Sequence, residues 1–276
     1  MIQIVKKNEK IDKSFLDEVI KKIEANGKTA TDKKDVDNPE LILSLGGDGT
    51  VLEAAEIAYK TEVAYKTSAP ILPINLGRVG FLTSADFEDT QTALDKYFAG
   101  DYKIEKRKLL KVDGGQGNGW ALNEVAIEKA NPSKMLALSI LVDGKVLSTY
   151  GADGIICSTA TGSTAHAFSA GGPIIFPDVD AIVIIPIAAH ALFSKPIIVG
   201  EKTKIEIKIL SDSPSSAVIS FDGRRNVTLN PDSVLDICFS NSSIDFVSFD
   251  ENSFTSKVVD KFQLPVHEWR YIDNSK

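Results

Sequence analysis

Over the first hundred residues, short apolar runs alternate with helix-forming stretches, and that alternation leaves the chain few architectures. The runs "IQIV", "LILSL" and "ILPIN" read as strands. Over Asp12–Asn26, Phe15, Leu16, Val19, Ile20 and Ile23 share one helical face, and Gly27 supplies a stop. "TVLEAAEIAY" is rich in helix formers. "DFEDTQTALDKYFAG" predicts a helix with an acidic start, Ala93, Leu94, Tyr97 and Phe98 turned inward, and Gly100 at its end. Strands that alternate with helices imply a mostly parallel sheet covered by those helices.

After residue 102 the rhythm changes to short strands separated by Gly, Pro, Asn or Asp. They include "YKIEKRKLLKV", "GWALNEVAIEK", "MLALSILVDG", "KVLSTY", "KIEIKIL", "SAVISFDG", "NVTLN" and "VLDICFS". "VDGK" at 142–145 carries a two-residue hairpin signal, and "TGSTAHAFSAGG" is the one helical candidate in this half. The apolar run "AIVIIPIAA" suits a buried strand or an interface strand. The expected fold is a Rossmann-like α/β domain over 1–100, carrying a glycine turn, followed by a β-sandwich-like domain over 101–247. Residues 248–276 have mixed propensity and are expected to pack back on the N-terminal domain.

Charge and cysteine usage limit the partners. A formal net charge of −7 disfavours duplex nucleic acid or an anionic membrane as the main partner. A phosphate-bearing ligand would then need local backbone amides and a few placed cations. Two lone cysteines, Cys157 and Cys238, fit a reducing compartment, and no CxxC or Cys/His cluster suggests zinc. The N-terminal apolar run is too short for a leader, and no 18-residue apolar segment occurs. The expectation is a soluble cytoplasmic protein, which makes the Asn226 sequon a chance match.

Two stretches could carry chemistry. "LILSLGGDGT" places Gly46, Gly47 and Gly49 around Asp48 at the end of a strand and the start of a helix. Such a turn admits phosphate oxygens to the backbone, and a helix N-terminus offers them unpaired N–H groups. The stretch matches neither GxxxxGK[ST] nor GxGxxG, because Leu52 stands at the third glycine position. A carboxylate beside phosphates makes sense as a proton acceptor for an attacking hydroxyl, or as a partner of phosphate-bound Mg²⁺. The plainer alternative is a strand-ending turn with Asp48 capping the helix. The second stretch, 150–173, sets "TGSTA" at a strand-to-helix junction, suited to a nucleotide's base and phosphates or simply to a capped surface loop.

Gly46-Gly47-Asp48-Gly49, "NLGRVGFLT" at 75–83, Asn123-Glu124 in "ALNEVAI" and "TGSTAHAFSAGGPI" at 161–174 occur in that order. Together, from about residue 41 to 200, they resemble the motif set of the NAD kinases. The resemblance implies phosphoryl transfer from ATP or polyphosphate, with Mg²⁺, to the 2′-hydroxyl of the adenosine ribose of NAD, giving NADP. It implies Asp48 as general base, with Gly46, Gly47, Gly49 and Thr50 lining the phosphates. It implies that Asn123 and Glu124 contact the nucleoside, and that Asp153, Thr161, Ser163, Thr164, Ala165, His166 and Ser169 line the NAD pocket. Asp222, in an Asp-Gly pair, is implied to approach the ligand, although it also reads as a turn. Members commonly form dimers or tetramers.

Some positions depart from the family or remain open. His166 stands where most relatives have tyrosine, offering a smaller flat face. Ala160 replaces the usual proline, so the loop loses a φ constraint. Arg78, between Gly77 and Gly80, either brings positive charge to a phosphate or is a solvated loop arginine. "KRK" at 106–108 reads as a solvated strand edge, His190 as a core histidine or a residue near the ligand, and Trp120 and Trp269 as packing residues. No protein-bound metal site is expected. Two alternatives remain: a lipid kinase sharing the GGDG turn, and a non-catalytic NAD-binding sensor.

Overall fold

The computed structural model describes residues 1–7, 11–33, 36–77, 80–249 and 253–266. Arg78 lies outside the described residues, as does Trp269. The chain divides into two compact units. Unit 1 is Met1–Lys106 with Ile244–Lys276, and unit 2 is Arg107–Ser243.

Unit 1 opens with β1 (Ile2–Lys6), α1 (Lys13–Ala25), β2 (Ala30–Thr31), β3 (Leu41–Leu45) and α2 (Asp48–Tyr65). It continues with β4 (Ile71–Asn75), β5 (Ala85–Asp86), a 3₁₀ turn at Phe87–Asp89 and α3 (Thr90–Ala99). The strands pair in parallel in the order β2-β1-β3-β4, with β5 also parallel to β4. All five residues of β3 and of β4 are buried, as a parallel sheet covered on both faces requires. Leu41, Leu43 and Leu45 meet Val19 and Ile23 of α1 and Ala93 and Leu94 of α3. Ile42 and Ser44 point to the other face, and α2 packs along β3 and β4 through Val51, Ala54, Ala55 and Ala58. Tyr97 and Phe98 of α3 are half-buried against the first cluster.

Unit 2 contains β6 (Lys103–Asp113, which begins in unit 1), β7 (Gly119–Ala121), β8 (Glu124–Lys129), β9 (Leu136–Val142), β10 (Lys145–Ala152) and β11 (Gly154–Ser158). After a 3₁₀ turn at Thr161–Thr164 come α4 (His166–Ser169), β12 (Ala181–Ile187), β13 (Ile197–Gly200), β14 (Ile205–Ile209), β15 (Ala217–Phe221) and β16 (Arg225–Leu229). The 15-residue β17 (Val234–Ser248) then carries the chain back into unit 1, where Phe246 pairs with Ile71 of β4 and α5 (Phe254–Phe262) follows. One antiparallel sheet runs β13-β12-β11-β8-β15-β16, and a second runs β10-β9-β14-β17. Alternation along β14 sends Ile205, Ile207 and Ile209 inward to meet Val125, Ile127, Ile155 and Ile184 of the other sheet. The opposite face of β8, β11 and β12 is also covered: Ala126, Ile156, Val183 and Ile185 pack on Ala160, Ala167 and Ile175. Double burial explains the unbroken apolar run of β12.

The hairpin expected at 142–145 forms, with Asp143 and Gly144 at positive φ between β9 and β10. The helix expected over "TGSTAHAFSAGG" is instead two short pieces. Ala165, at φ −102 and ψ −130, separates them, and Gly162 lies so close to the Asn123 carbonyl that a Cβ would collide with it.

Candidate functional site

Unit 1 builds the Asp48 group. Beyond β3, Gly46 is buried and a Cβ there would strike Thr50 Oγ1, so the bend needs glycine for space. Gly47 is the N-cap of α2 and makes no side-chain cap bond, while Asp48 is the first helical residue. Asp48 therefore does not cap its helix, contrary to the plainer sequence alternative. Its carboxylate reaches a neighbouring loop, where Phe81 N–H donates to Oδ2 at 3.2 Å and Leu82 N–H donates to Oδ1 at 3.1 Å. A Cβ on Gly80 would lie 2.5 Å from Asp48 Oδ1, so that glycine leaves room for the carboxylate. Gly47 and Gly49 are exposed at the start of an 18-residue helix, whose first-turn amides carry partial positive charge. The result is an oriented, half-exposed carboxylate beside an anion-attracting helix end. Such a group can take a proton from a hydroxyl that attacks a phosphate.

Unit 2 builds the Asn123–Glu124 group at the start of β8. Its backbone is pinned from both sides. The Asp222 carboxylate accepts from the N–H groups of Leu122 (3.0 Å), Asn123 (2.7 Å) and Glu124 (3.3 Å), with Arg225 Nη2 at 3.4 Å. From the other side, Thr159 Oγ1 donates to the Leu122 carbonyl at 2.7 Å, and Thr159 N–H to the Asn123 carbonyl at 2.9 Å. The Arg225 guanidinium also lies over the Trp120 ring, 4.2 Å from its centroid. Yet Asn123 Oδ1 and Glu124 Oε2 are buried with no hydrogen-bond partner among the described residues. Burial, and secondarily the Asp222 charge, pushes the Glu124 carboxyl up to about 8. Buried polar atoms without partners are costly unless a ligand satisfies them.

The remaining expected residues divide. Thr161 is buried and Thr164 half-buried in the 3₁₀ turn, Ala165 just after it is half-buried, and His166 and Ser169 of α4 are exposed. The Ser163 hydroxyl is fully buried and committed to its own loop: it donates to the Ala160 carbonyl at 2.7 Å and accepts from Ile175 N–H at 2.9 Å. Asp222 is likewise committed to the backbone of 122–124. Asp153 is not brought to this group. It precedes β11, pairs with Lys129 Nζ at 2.5 Å, and lies five residues from Ser158, the β11 partner of Glu124. At strand rise that is roughly 17 Å. Sequence reading missed Gly80, Phe81, Leu82, Thr159 and Arg225 as individual contributors. The first three fall inside "NLGRVGFLT", Thr159 lies in the 150–173 stretch, and Arg225 comes just after the Asp222-Gly223 pair.

Two domain families match this chain: the ATP-NAD kinase N-terminal domain over residues 3–102, and the ATP-NAD kinase C-terminal domain over 122–249. The chain belongs to the NAD kinase family. The NAD kinase of Corynebacterium glutamicum is 42% identical over 240 residues, covering 85% of this chain and 80% of that protein. That of Mycobacterium bovis is 41% identical over 244 residues, covering 87% and 77%. Among solved structures, an NAD kinase from Archaeoglobus fulgidus in complex with ATP matches with a TM-score of 0.79 at 27% identity, over 96% of this chain and 99% of that one. Yeast NADH kinase complexed with NADH shares the fold, with a TM-score of 0.83 at 23% identity over 98% and 89%. The NAD kinase fold thus pairs an α/β unit with a β-rich one, as the change of rhythm near residue 102 implied. Among the described residues no helix is long and apolar enough to cross a membrane.

Proposed function

We propose that this NAD kinase family member transfers the γ-phosphoryl group of Mg–ATP to the 2′-hydroxyl of the adenosine ribose of NAD. Asp48 takes the hydroxyl proton, the ribose oxygen forms the new bond to phosphorus, and the bond to the departing ADP breaks. The observation that carries this reading is the Asp48 carboxylate, held by two loop amides beside the α2 N-terminus. Gly46, Gly47, Gly49 and Thr50 form the bend the phosphates would approach, and Mg²⁺ arrives on the nucleotide as part of the substrate. Arg78 is assigned to the same phosphates on the sequence alone.

In unit 2, Asn123 and Glu124 receive the nucleoside. A carboxyl that keeps its proton to about pH 8 can donate one hydrogen bond and accept another, which suits a sugar hydroxyl or a base edge. Thr161, Thr164, Ala165, His166 and Ser169 line the dinucleotide. Ser163 and Asp222 support the pocket through the backbone they hold. Asp153, at the far end of β11, would meet only a different part of the ligand. Polyphosphate as a second donor, a homodimer or homotetramer, and a cytoplasmic location complete the proposal. The α/β part, 1–100, carries the donor chemistry, the β-rich part, 101–247, carries the acceptor, and 248–276 returns to the first.

The test is Asp48→Asn, assayed for NADP formation with saturating Mg–ATP and NAD. Loss of a positioned base lowers kcat by about 10²- to 10⁴-fold while NAD binding survives. Turnover close to that of the unaltered protein removes Asp48 from the base role. Release of phosphorylated lipid without NADP would restore the lipid-kinase alternative, and NAD binding without ATP consumption the sensor alternative.

A further inference from the structure

The family match ends at residue 249 and assigns nothing to α5, which lies beyond it. Phe254, Lys257, Lys261 and Phe262 fall at helical spacing on one side of α5, and all four meet the loop that holds Asp48. The Phe81 ring, almost fully buried, has Phe254 at 5.8 Å and Phe262 at 5.9 Å between centroids, with Lys261 Nζ 5.5 Å from its own. Lys257 Nζ donates to the Thr83 carbonyl at 2.6 Å and reaches the Phe81 carbonyl at 3.4 Å.

The second of those carbonyls matters for the chemistry. The Phe81 carbonyl and the Leu82 N–H belong to one planar peptide group, and that N–H donates to Asp48 Oδ1. A cation on the oxygen end draws electron density along the peptide and strengthens the N–H as a donor. Lys257, peptide 81–82 and the Asp48 carboxylate thus form a line of like-oriented dipoles. The bond to the Thr83 carbonyl fixes the loop from its far side. Gly80, which admits no Cβ beside Asp48 Oδ1, starts the same loop, so any shift of 80–83 would move the carboxylate.

We infer that Lys257 is a positioning residue for the phosphoryl transfer, acting on Asp48 through the 81–83 loop without touching substrate. This rests on Asp48 being the base. A displacement of a catalytic group by about 1 Å costs up to about 100-fold in rate, so a partial release of the loop predicts about tenfold.

The test compares Lys257→Met, Lys257→Arg, Asp48→Asn and the Asp48→Asn/Lys257→Met double variant in the full chain. The methionine variant is expected to lose about tenfold in kcat, with KM for NAD and for ATP within about twofold of the unaltered protein. Arginine, which keeps the charge and the donors, restores most of the rate. In the Asp48→Asn background the methionine substitution changes the residual rate by less than about twofold, because its route to the chemistry is gone. A well-folded Lys257→Met with normal kcat overturns the inference, as does an equal loss with and without Asp48. Should the methionine variant fail to fold, Lys257→Gln takes its place. If both unfold, the lysine serves only to dock α5, and the inference falls. Normal turnover by Asp48→Asn is a separate outcome that sinks the base assignment itself.

Discussion

Replacing Glu124 by glutamine keeps the shape of a side chain that is only 6% exposed and removes its ability to ionise. In the folded chain this carboxyl holds its proton to about pH 8, against an ordinary 4.5, because burial and the nearby Asp222 penalise its charge. Between those two pH values the folded state keeps a proton that the unfolded state has released. Stability from this group is therefore complete below pH 4.5 and falls as pH rises, by about 1.4 kcal/mol per pH unit. The loss is about 3 kcal/mol by pH 7 and about 5 kcal/mol above pH 8. Glutamine escapes it. Urea denaturation at pH 5, 6, 7 and 8, followed by Trp120 fluorescence in a Trp269→Phe background, should show Glu124→Gln gaining on the parent as pH rises. The gap should widen by 2 to 4 kcal/mol over that range. The same variant should bind NAD more weakly, since it gains stability by surrendering a group kept for a ligand. Parallel stability curves would refute the burial argument.

Three further outcomes follow from the same geometry. Asp222→Ala strips a charged acceptor from backbone donors at 2.7 and 3.0 Å and should cost about 3–5 kcal/mol by urea denaturation, with Asp222→Asn intermediate; a loss under 1 kcal/mol contradicts its role. Gly80→Ala puts a methyl 2.5 Å from Asp48 Oδ1 and should cut kcat about tenfold or more with little change in melting temperature, whereas an unaffected rate would show that the loop yields freely. Cys157 is wholly buried and its thiol is pushed up to about 12, so an aromatic disulfide reagent should label Cys238 in the folded chain and Cys157 only after denaturation.

Much of the frame was legible because local pattern and tertiary demand agree. The five-residue apolar runs became β3 and β4, the Asp-Gly pair at 143–144 made its hairpin, and the glycines at 46–49 marked a bend that needs space. What could not be read were relations across large sequence separations. The bonds from Phe81 and Leu82 to Asp48 span more than thirty residues, and those from Asp222 to the 122–124 backbone span about a hundred. The resemblance also set Asp153 among the pocket residues, and strand register places it at the end of β11 away from Glu124, a separation no local pattern reveals. Helix formers in 161–172 suggested a longer helix than forms, since Gly162 is pressed on the Asn123 carbonyl and the Ser163 hydroxyl binds the backbone of its own loop. The mixed pattern after Val247 hid α5 because the helix is only nine residues long and none of them is fully buried.

β17 leaves unit 2 and delivers Val247 and, just beyond its end, Phe249 into the same cluster as Ile2, Ile4 and Leu43. The Met1–Lys106 part of unit 1 therefore lacks part of its interior until the whole of unit 2 and the residues up to Phe249 have been synthesised. At about 5–20 residues per second, the roughly 140 residues of the inserted unit delay that closure by about 7–30 s. During that interval a nascent chain would expose the edge of β4 that β17 later pairs with.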